Sequence, residues 1–299
     1  RDTRKVEQLY IKHILIRMSG TTYNKLKHIF IMIGIVAILS LGMVYPFLPG
    51  AYDRLAMPLS IVIQAFGVMG ILLAIIGLGW LIMPKYSYSY ARAAWYVSVF
   101  ISIVIAFFAF LSAGKVFGII LLFIGIMTLR YLKSKLNEAK ASDQQVFSIL
   151  PVYLIGLPVL LLIIQLTIAQ PLKQWSRNSA IKNAAAYIDD IENFRKKEGY
   201  YPPSLQAMYK DYYPQIVGID KYHYLAAGDA YNLSFEQPRF LLDVIGTKEW
   251  VVYNPRDEHR VYSHTSWFLL LSPAELERSQ GWYASEQTEH AHWKSFLFD

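Results

Sequence analysis

The chain has no cysteine and few charged residues. Without cysteine, a disulfide framework, a thiolate metal site and a cysteine nucleophile are all excluded. Charged residues make up 17% of the 299 residues, below the roughly 25% of soluble domains, while apolar residues reach 55% and the mean hydropathy is +0.29. This imbalance predicts segments embedded in lipid and joined to a more polar domain.

Five long apolar runs lie between residues 29 and 169. They cover residues 29–48, 59–83, 95–111, 116–132 and 147–169. A helix needs about 20 residues to cross a hydrocarbon core of ~30 Å, and only helical backbone satisfies its own polar groups there. The four residues Ser112-Ala113-Gly114-Lys115 between the third and fourth runs predict a tight helical hairpin. We therefore predict a five-helix transmembrane domain over residues 29–169.

The interiors of these runs are almost free of ionisable side chains. They hold no Asp, Glu, Lys or His, and Arg130 lies near the end of the fourth run. Because such groups mark proton relays, ion paths and cofactor ligands in membranes, a proton-coupled transporter and haem ligation are not expected. Gln64 and Gln165 are predicted to form hydrogen bonds between helices, and Gly67 and Gly70 to allow close helix contact.

Lysine and arginine residues are unevenly distributed around the runs. With the N-terminus in the cytoplasm, the cytoplasmic segments before residue 147 hold thirteen of them and the outer turns hold two, Arg54 and Lys115. This places the N-terminus inside and the C-terminal domain outside the cytoplasm, as in a multi-pass protein of a bacterial inner membrane. Residues 1–28 form a basic segment, interpreted either as an amphipathic helix on the membrane surface or as a leader that fixes orientation.

Residues 170–299 have the pattern of an α+β domain. After a polar seam at 170–177, apolar residues over 181–194 recur on one helical face, with Asn178 or Ser179 as the predicted cap and Gly199 as the stop. Alternating segments then predict antiparallel strands at 222–225, 231–235, 239–245, 249–253 and 260–263. A long helix packed on an antiparallel sheet is the expected two-layer fold.

The turn after this helix carries a family resemblance. Residues 181–194, followed by Gly199, Tyr201, Pro202, Ser204 and Leu205 in the sequence GYYPPSL, resemble the helix and turn of type IV pilins and type II secretion pseudopilins. The resemblance covers roughly residues 147–265 and implies an outer domain that assembles with other proteins. Pilins have one membrane helix with a glutamate near its start, whereas this chain has five runs and no acidic residue in the fifth. A filament subunit is therefore not expected.

Signals for an enzyme are weak. His290 and His292, with His259 or His264 as a third ligand, are candidates for a metal site, although a solvated histidine-rich tail is the simpler explanation. By the pseudopilin resemblance Asp229 and Asp257 are candidate calcium ligands, with ordinary turn chemistry as the alternative. No nucleotide-binding fingerprint is present, and the basic residues flank apolar runs rather than forming a nucleic-acid groove.

The sequence therefore predicts a non-enzymatic membrane protein without cofactor or bound metal. Its expected partners are membrane lipids and other membrane or extracytoplasmic subunits, with no nucleic acid. Two alternatives remain open: a carrier or channel for an apolar or lipid-like solute within the bundle, and a metal-dependent hydrolase in the outer domain.

Overall fold

A computed structural model describes residues 26–141, 149–208, 210–227, 229–243, 247–259, 261–262, 270–271 and 283–298. The first half is helical: α1 (Leu26–Phe47), α2 (Ala56–Met69), α3 (Ile71–Ile82), α4 (Ser87–Ala113), α5 (Lys115–Ala141) and α6 (Leu150–Glu198). Together α2 and α3 form one span, so five helical spans are long and apolar enough to cross a membrane. Most of the basic segment predicted at 1–28 lies outside the described residues.

The bundle consists of helices packed on α6 and of a helical hairpin whose first helix packs on α2 and α3. α6 packs against α1, α2 and α3, while α4 and α5 form the predicted hairpin around Gly114, whose φ is +91°. In α5, Gly118 lies so close to Phe110 that a Cβ would fall 2.6 Å from its side chain. Both hairpin helices extend beyond their apolar runs, because the flanking Tyr, Arg, Lys and Glu residues are compatible with helix.

α6 is a single helix of 49 residues, about 74 Å long. The predicted seam at 170–177 does not interrupt it, and the predicted cap at Asn178 or Ser179 is wrong: the Ser179 hydroxyl donates to the Trp175 carbonyl inside the helix (2.9 Å). Polarity alone does not end a helix, since Gln and Lys are good helix formers. Gly199 does end it, in the left-handed region at φ +84°.

The C-terminal domain contains an antiparallel five-stranded sheet of order β1-β2-β3-β7-β6. Its strands are β1 (His223–Ala227), β2 (Ala230–Gln237), β3 (Lys248–Tyr253), β6 (Tyr283–Gln287) and β7 (Trp293–Phe298), while β4 (Val261–Tyr262) and β5 (Leu270–Leu271) form a separate pair. The predicted strand at 239–245 is wrong, because Arg239 and Phe240 are irregular and a turn begins at Leu241. Of the predicted strand at 260–263, residues 260 and 263 lie outside the described residues and the other two form β4, while β7 takes the position beside β3.

The outer half of α6 covers one face of this sheet. Ala180, Ala184, Tyr187 and Ile191 of α6 share a buried cluster with Tyr231, Leu233, Phe235, Val251 and Trp293 of the strands. The two alanines allow the helix to approach the sheet, and the aromatic side chains fill the space beside them. The domain is therefore the predicted helix on a sheet, with a strand content that differs from the prediction.

Candidate functional site at the junction of bundle and outer domain

The two predicted glutamines meet inside the bundle. Gln64 and Gln165 are each 1% exposed, and the Gln165 side-chain amide donates to Gln64 Oε1 (3.2 Å). The Gln64 amide in turn donates to Ser60 Oγ (2.8 Å), whose hydroxyl donates to the Met43 carbonyl (2.5 Å). This chain of neutral hydrogen bonds connects α1, α2 and α6.

The two predicted glycines lie where the second span crosses α6. A Cβ at Gly67 would stand 3.4 Å from Leu161 Cβ, and one at Gly70 would stand 2.5 Å from Pro158 Cβ. Gly70 also separates α2 from α3, so it serves both a helix break and a close crossing.

The GYYPPSL turn is built into the outer domain. Tyr201 is buried beside Tyr231, and its hydroxyl accepts a hydrogen bond from Arg195 Nη1 (2.6 Å). The Pro202 carbonyl accepts from the Tyr224 hydroxyl (2.9 Å), the Ser204 carbonyl accepts from the Ala207 N–H (3.2 Å), and Leu205 packs against the core. These contacts show that the motif helps to build the fold of the domain. Its role in binding a partner stays a prediction.

A loop of the outer domain, residues 238–243, inserts into the end of the bundle formed by α1, α2 and α6. Phe240 is buried, and its ring stacks on Phe47 at the end of α1 with centroids 4.5 Å apart and planes 10° apart. The Leu241 N–H donates to Gln64 Oε1 (2.5 Å), which extends the polar chain of the bundle into the outer domain. Because a strand was predicted at these residues, this contact was not predicted. Pro238, which cannot donate to a strand ladder, was the available signal.

A second attachment joins the chain after α1 to the loop before β1. The Val217 N–H donates to the Leu48 carbonyl (2.9 Å) and the Gly218 N–H to the Pro46 carbonyl (2.7 Å). In the other direction, Gly50 N–H donates to the Gln215 carbonyl (3.0 Å). No side-chain pattern encodes these backbone contacts, so sequence reasoning missed them.

A buried ion cluster forms the third attachment. Glu249 on β3 lies within 3.3 Å of Lys173 and 3.8 Å of Arg177, both on α6, and within 3.6 Å of Arg239. The Ser295 hydroxyl donates to Glu249 Oε1 (2.7 Å). Because Glu249 is 2% exposed, its charge depends on these neighbours rather than on water. The cluster therefore fixes the sheet to α6 just beyond the apolar run.

The three attachments, together with the unbroken α6, fix the outer domain to the bundle. They also place the Phe47–Phe240 stack at the mouth of α1, α2 and α6. A solute moving between these helices would have to displace that stack and the Gln64 hydrogen bonds. The geometry thus favours a rigid junction over a route through this part of the bundle.

The histidine and aspartate candidates for metal binding are dispersed. His290 contacts Asn178 (3.2 Å) and His292 contacts Asp257 (3.1 Å), whereas Asp229 pairs with Arg256 (3.5 Å). His264 lies outside the described residues. Among the residues that the structure does describe, no group of three His, Asp or Glu side chains is arranged to hold a metal ion.

His259 is a buried histidine with a structural position. Its Nδ1 lies 3.2 Å from the Asp257 carbonyl and its Nε2 lies 3.1 Å from the His292 carbonyl. Burial lowers the pKa of His259 below its ordinary value, although the two backbone carbonyls act in the opposite direction. The ring therefore joins the turn after β3 to the turn before β7 in its neutral form, which donates only one of these two hydrogen bonds.

Five helices of sufficient length and apolarity, joined to an α+β domain, suggest a multi-pass membrane protein. Comparisons with protein-family models, curated proteins and solved structures find no significant match. The resemblance to pilins and pseudopilins thus stays a prediction from the sequence.

Proposed function

We propose that this chain is a non-enzymatic, multi-pass protein of a bacterial inner membrane whose outer domain assembles with another protein in a membrane complex. The N-terminus would be cytoplasmic and the pseudopilin-like domain extracytoplasmic, as the lysine and arginine distribution favours. Five spans are consistent with this, since an odd number puts the two ends on opposite sides.

The observation that carries the proposal is the rigid junction. Domains joined in one chain are expected to move relative to each other unless their interface is extensive. Here residues 238–243, the loop around Val217 and the Glu249 cluster all fix the domain on the bundle. A fixed orientation suits a domain that presents one surface to a neighbouring subunit.

The β1 side of the sheet face opposite α6 is the best candidate for that surface, since Val252, Phe296 and Phe298 further along this face are buried. On β1, Leu225 is 37% exposed, and His223 lies with its ring 4.9 Å from that of Trp250 on β3. At the edge of the same face, Glu236 and Lys248 form an exposed ion pair (3.6 Å). An apolar and aromatic centre with a charged rim is the usual composition of a protein interface.

The test is co-purification of the full chain in mild detergent after chemical cross-linking, with quantitative mass spectrometry. We expect one protein at a stoichiometric ratio, and we expect Leu225→Arg to reduce its recovery about tenfold or more, because a charge introduced into an apolar contact is costly. Tyr213→Arg is the matched control: Tyr213 is 61% exposed on the α6 side of the domain.

Two results would contradict the proposal. One is a monodisperse chain without any stoichiometric partner after cross-linking. The other is equal recovery of the partner with Leu225→Arg and Tyr213→Arg, which would place the contact elsewhere.

A further inference from the structure

A groove runs along the outer half of α6, on the side of the helix next to the turn before β7. It has a volume of about 550 Å³, and its walls combine apolar side chains with a few polar groups. Six of the residues that line it are Trp175, Lys182, Ala185, Ile188, His290 and Trp293. The volume lies within the ~300–1,000 Å³ of small-molecule sites, which have the same mixed lining.

The groove begins near the level of the membrane surface. Trp175, 44% exposed, follows the end of the apolar run at Ala169 by six residues, or about 9 Å of helix. Headgroups occupy roughly 5–8 Å on each side of the hydrocarbon core, so Trp175 stands at their outer edge, where tryptophan is enriched. A molecule leaving the outer leaflet would meet the lower end of the groove first.

The shape of the groove favours a single extended chain over a helix. From Trp175 to Ile188 it follows about 20 Å of α6. A partner helix of that length and ~10 Å diameter would occupy roughly 1,600 Å³, more than the 1020 Å³ of empty space in the groove. The hydrogen bond between His290 Nε2 and Asn178 Oδ1 (3.2 Å) holds the turn against α6 and keeps the groove narrow.

The charge of the residues that line the groove indicates the sign of charge on the ligand's headgroup. Lys182 is exposed and is the one full cation among the described residues that line the groove, which include no Asp or Glu. A carboxylate or phosphate at this position would be attracted to the ammonium group, and a cationic headgroup would be repelled.

We propose that this groove binds the acyl chain of an anionic single-chain lipid taken from the adjacent leaflet, with its headgroup at Lys182. Ala185 and Trp293 contact the chain, and the site is separate from the sheet face proposed above for a protein partner. The inference therefore does not depend on the proposed assembly function.

The experiment uses the full chain in phosphatidylcholine nanodiscs with palmitate that carries a photoreactive diazirine on its chain. After irradiation, mass spectrometry should place labels on residues 175–188 and on the turn at 290–293, in addition to the membrane helices. Ala185→Trp, which fills the groove, should reduce the groove labels about tenfold, an effect equal to ~1.4 kcal/mol. Ala186→Trp should leave them unchanged, because Ala186 is also exposed but does not line the groove.

A second pair of variants tests the headgroup. Lys182→Gln should remove the preference for the palmitate probe over the matching neutral alcohol probe, and Lys196→Gln, on the same helix outside the groove, should retain it. Circular dichroism of each variant checks that the fold is intact.

The proposal is overturned if the probe labels only the membrane helices, or if Ala185→Trp and Ala186→Trp lower the groove labels equally. It is also overturned if cross-linking in the native membrane finds these groove residues joined to a peptide of another protein. Loss of the protein partner with Leu225→Arg, by contrast, would leave the groove labels in place.

Discussion

The bundle and the outer domain bury polar groups of different kinds. In the described part of the bundle, the buried polar contacts are neutral: Ser60, Gln64 and Gln165 share hydrogen bonds with each other and with backbone. A few turns further along α6, Arg177 is buried beside Glu249 of β3, and both are ions. Charges inside hydrocarbon are expensive, whereas a cluster beyond the membrane surface can be assembled from several parts of a folded domain. The same helix thus borders neutral buried groups in the bundle and buried ions in the outer domain.

Removing the carboxylate of the ion cluster should have the largest effect. Glu249→Gln leaves Arg177 and Arg239 buried beside a neutral group, while Lys173 keeps Asp243 (3.7 Å), and we expect a loss of about 3–5 kcal/mol in the free energy of unfolding. Denaturant titration of the full chain in detergent measures it. Glu236→Gln, which removes an exposed ion pair with Lys248, should change stability by less than about 0.5 kcal/mol. Similar losses for both variants would show that the cluster is not a buried electrostatic unit.

Close packing in the bundle gives the next effect. Gly70→Ala places a methyl group 2.5 Å from Pro158 Cβ, so the second span and α6 must separate, and a loss of about 1–3 kcal/mol is expected. Gly34→Ala on α1 is the control, because nothing lies within 4 Å of its added Cβ. Its stability should be unchanged or higher by up to ~1 kcal/mol. Equal stability of the two variants in the same titration would rule out a tight crossing at Gly70.

The outer domain should lose stability in mild acid through His259. Because burial lowers the pKa of folded His259, the unfolded chain binds a proton first as the pH falls below about 6.5. The contribution of His259 to the free energy of unfolding therefore has its full value above that pH. It decreases below that pH with a slope of at most about 1.4 kcal/mol per pH unit for one proton. Unfolding titrations of wild type and His259→Gln between pH 7.5 and 5.5 should show a smaller slope in the variant. An unchanged slope would exclude His259 as the source.

The glutamine pair should give the smallest effect. A double-mutant cycle of Gln64→Leu and Gln165→Leu should yield a coupling energy of about 0.6 kcal/mol, the average for hydrogen bonds between membrane helices. A cycle of Gln165→Leu with Thr128→Val provides the reference, because Thr128 bonds to the Ile124 carbonyl of its own helix. Coupling above about 2 kcal/mol in the first cycle would mean that neutral hydrogen bonds here act as strongly as buried ions.

Much of the fold follows from local patterns in the sequence. The five spans are present, although α4, α5 and α6 extend well beyond their predicted runs, and the hairpin at Gly114, the stop at Gly199 and the strands at 222–225, 231–235 and 249–253 match the structure within a few residues. Each of these predictions depends on the length of an apolar run, on the periodicity of apolar residues or on a residue with an unusual backbone preference. These are properties of short stretches, and the tertiary contacts of this chain agree with them.

The junction depended on contacts between distant residues. Gln64 and Leu241 are 177 residues apart, and Glu249 meets cations from α6 and from Arg239. Residues 239–245 have the composition of a strand, but Pro238 lacks a donor and Phe240 finds a more favourable place on Phe47. Burial of one aromatic ring at the bundle mouth outweighed local strand preference.

By itself, the amino-acid sequence determined that this chain has five apolar helices and an α+β domain. The length of an apolar run and the periodicity of apolar side chains define each element from its own residues. Only the tertiary structure decided that α6 runs unbroken between them, that β7 pairs with β3, and that the domain is fixed to the bundle. Those outcomes depend on which distant groups satisfy each other's charges and hydrogen bonds once water is excluded.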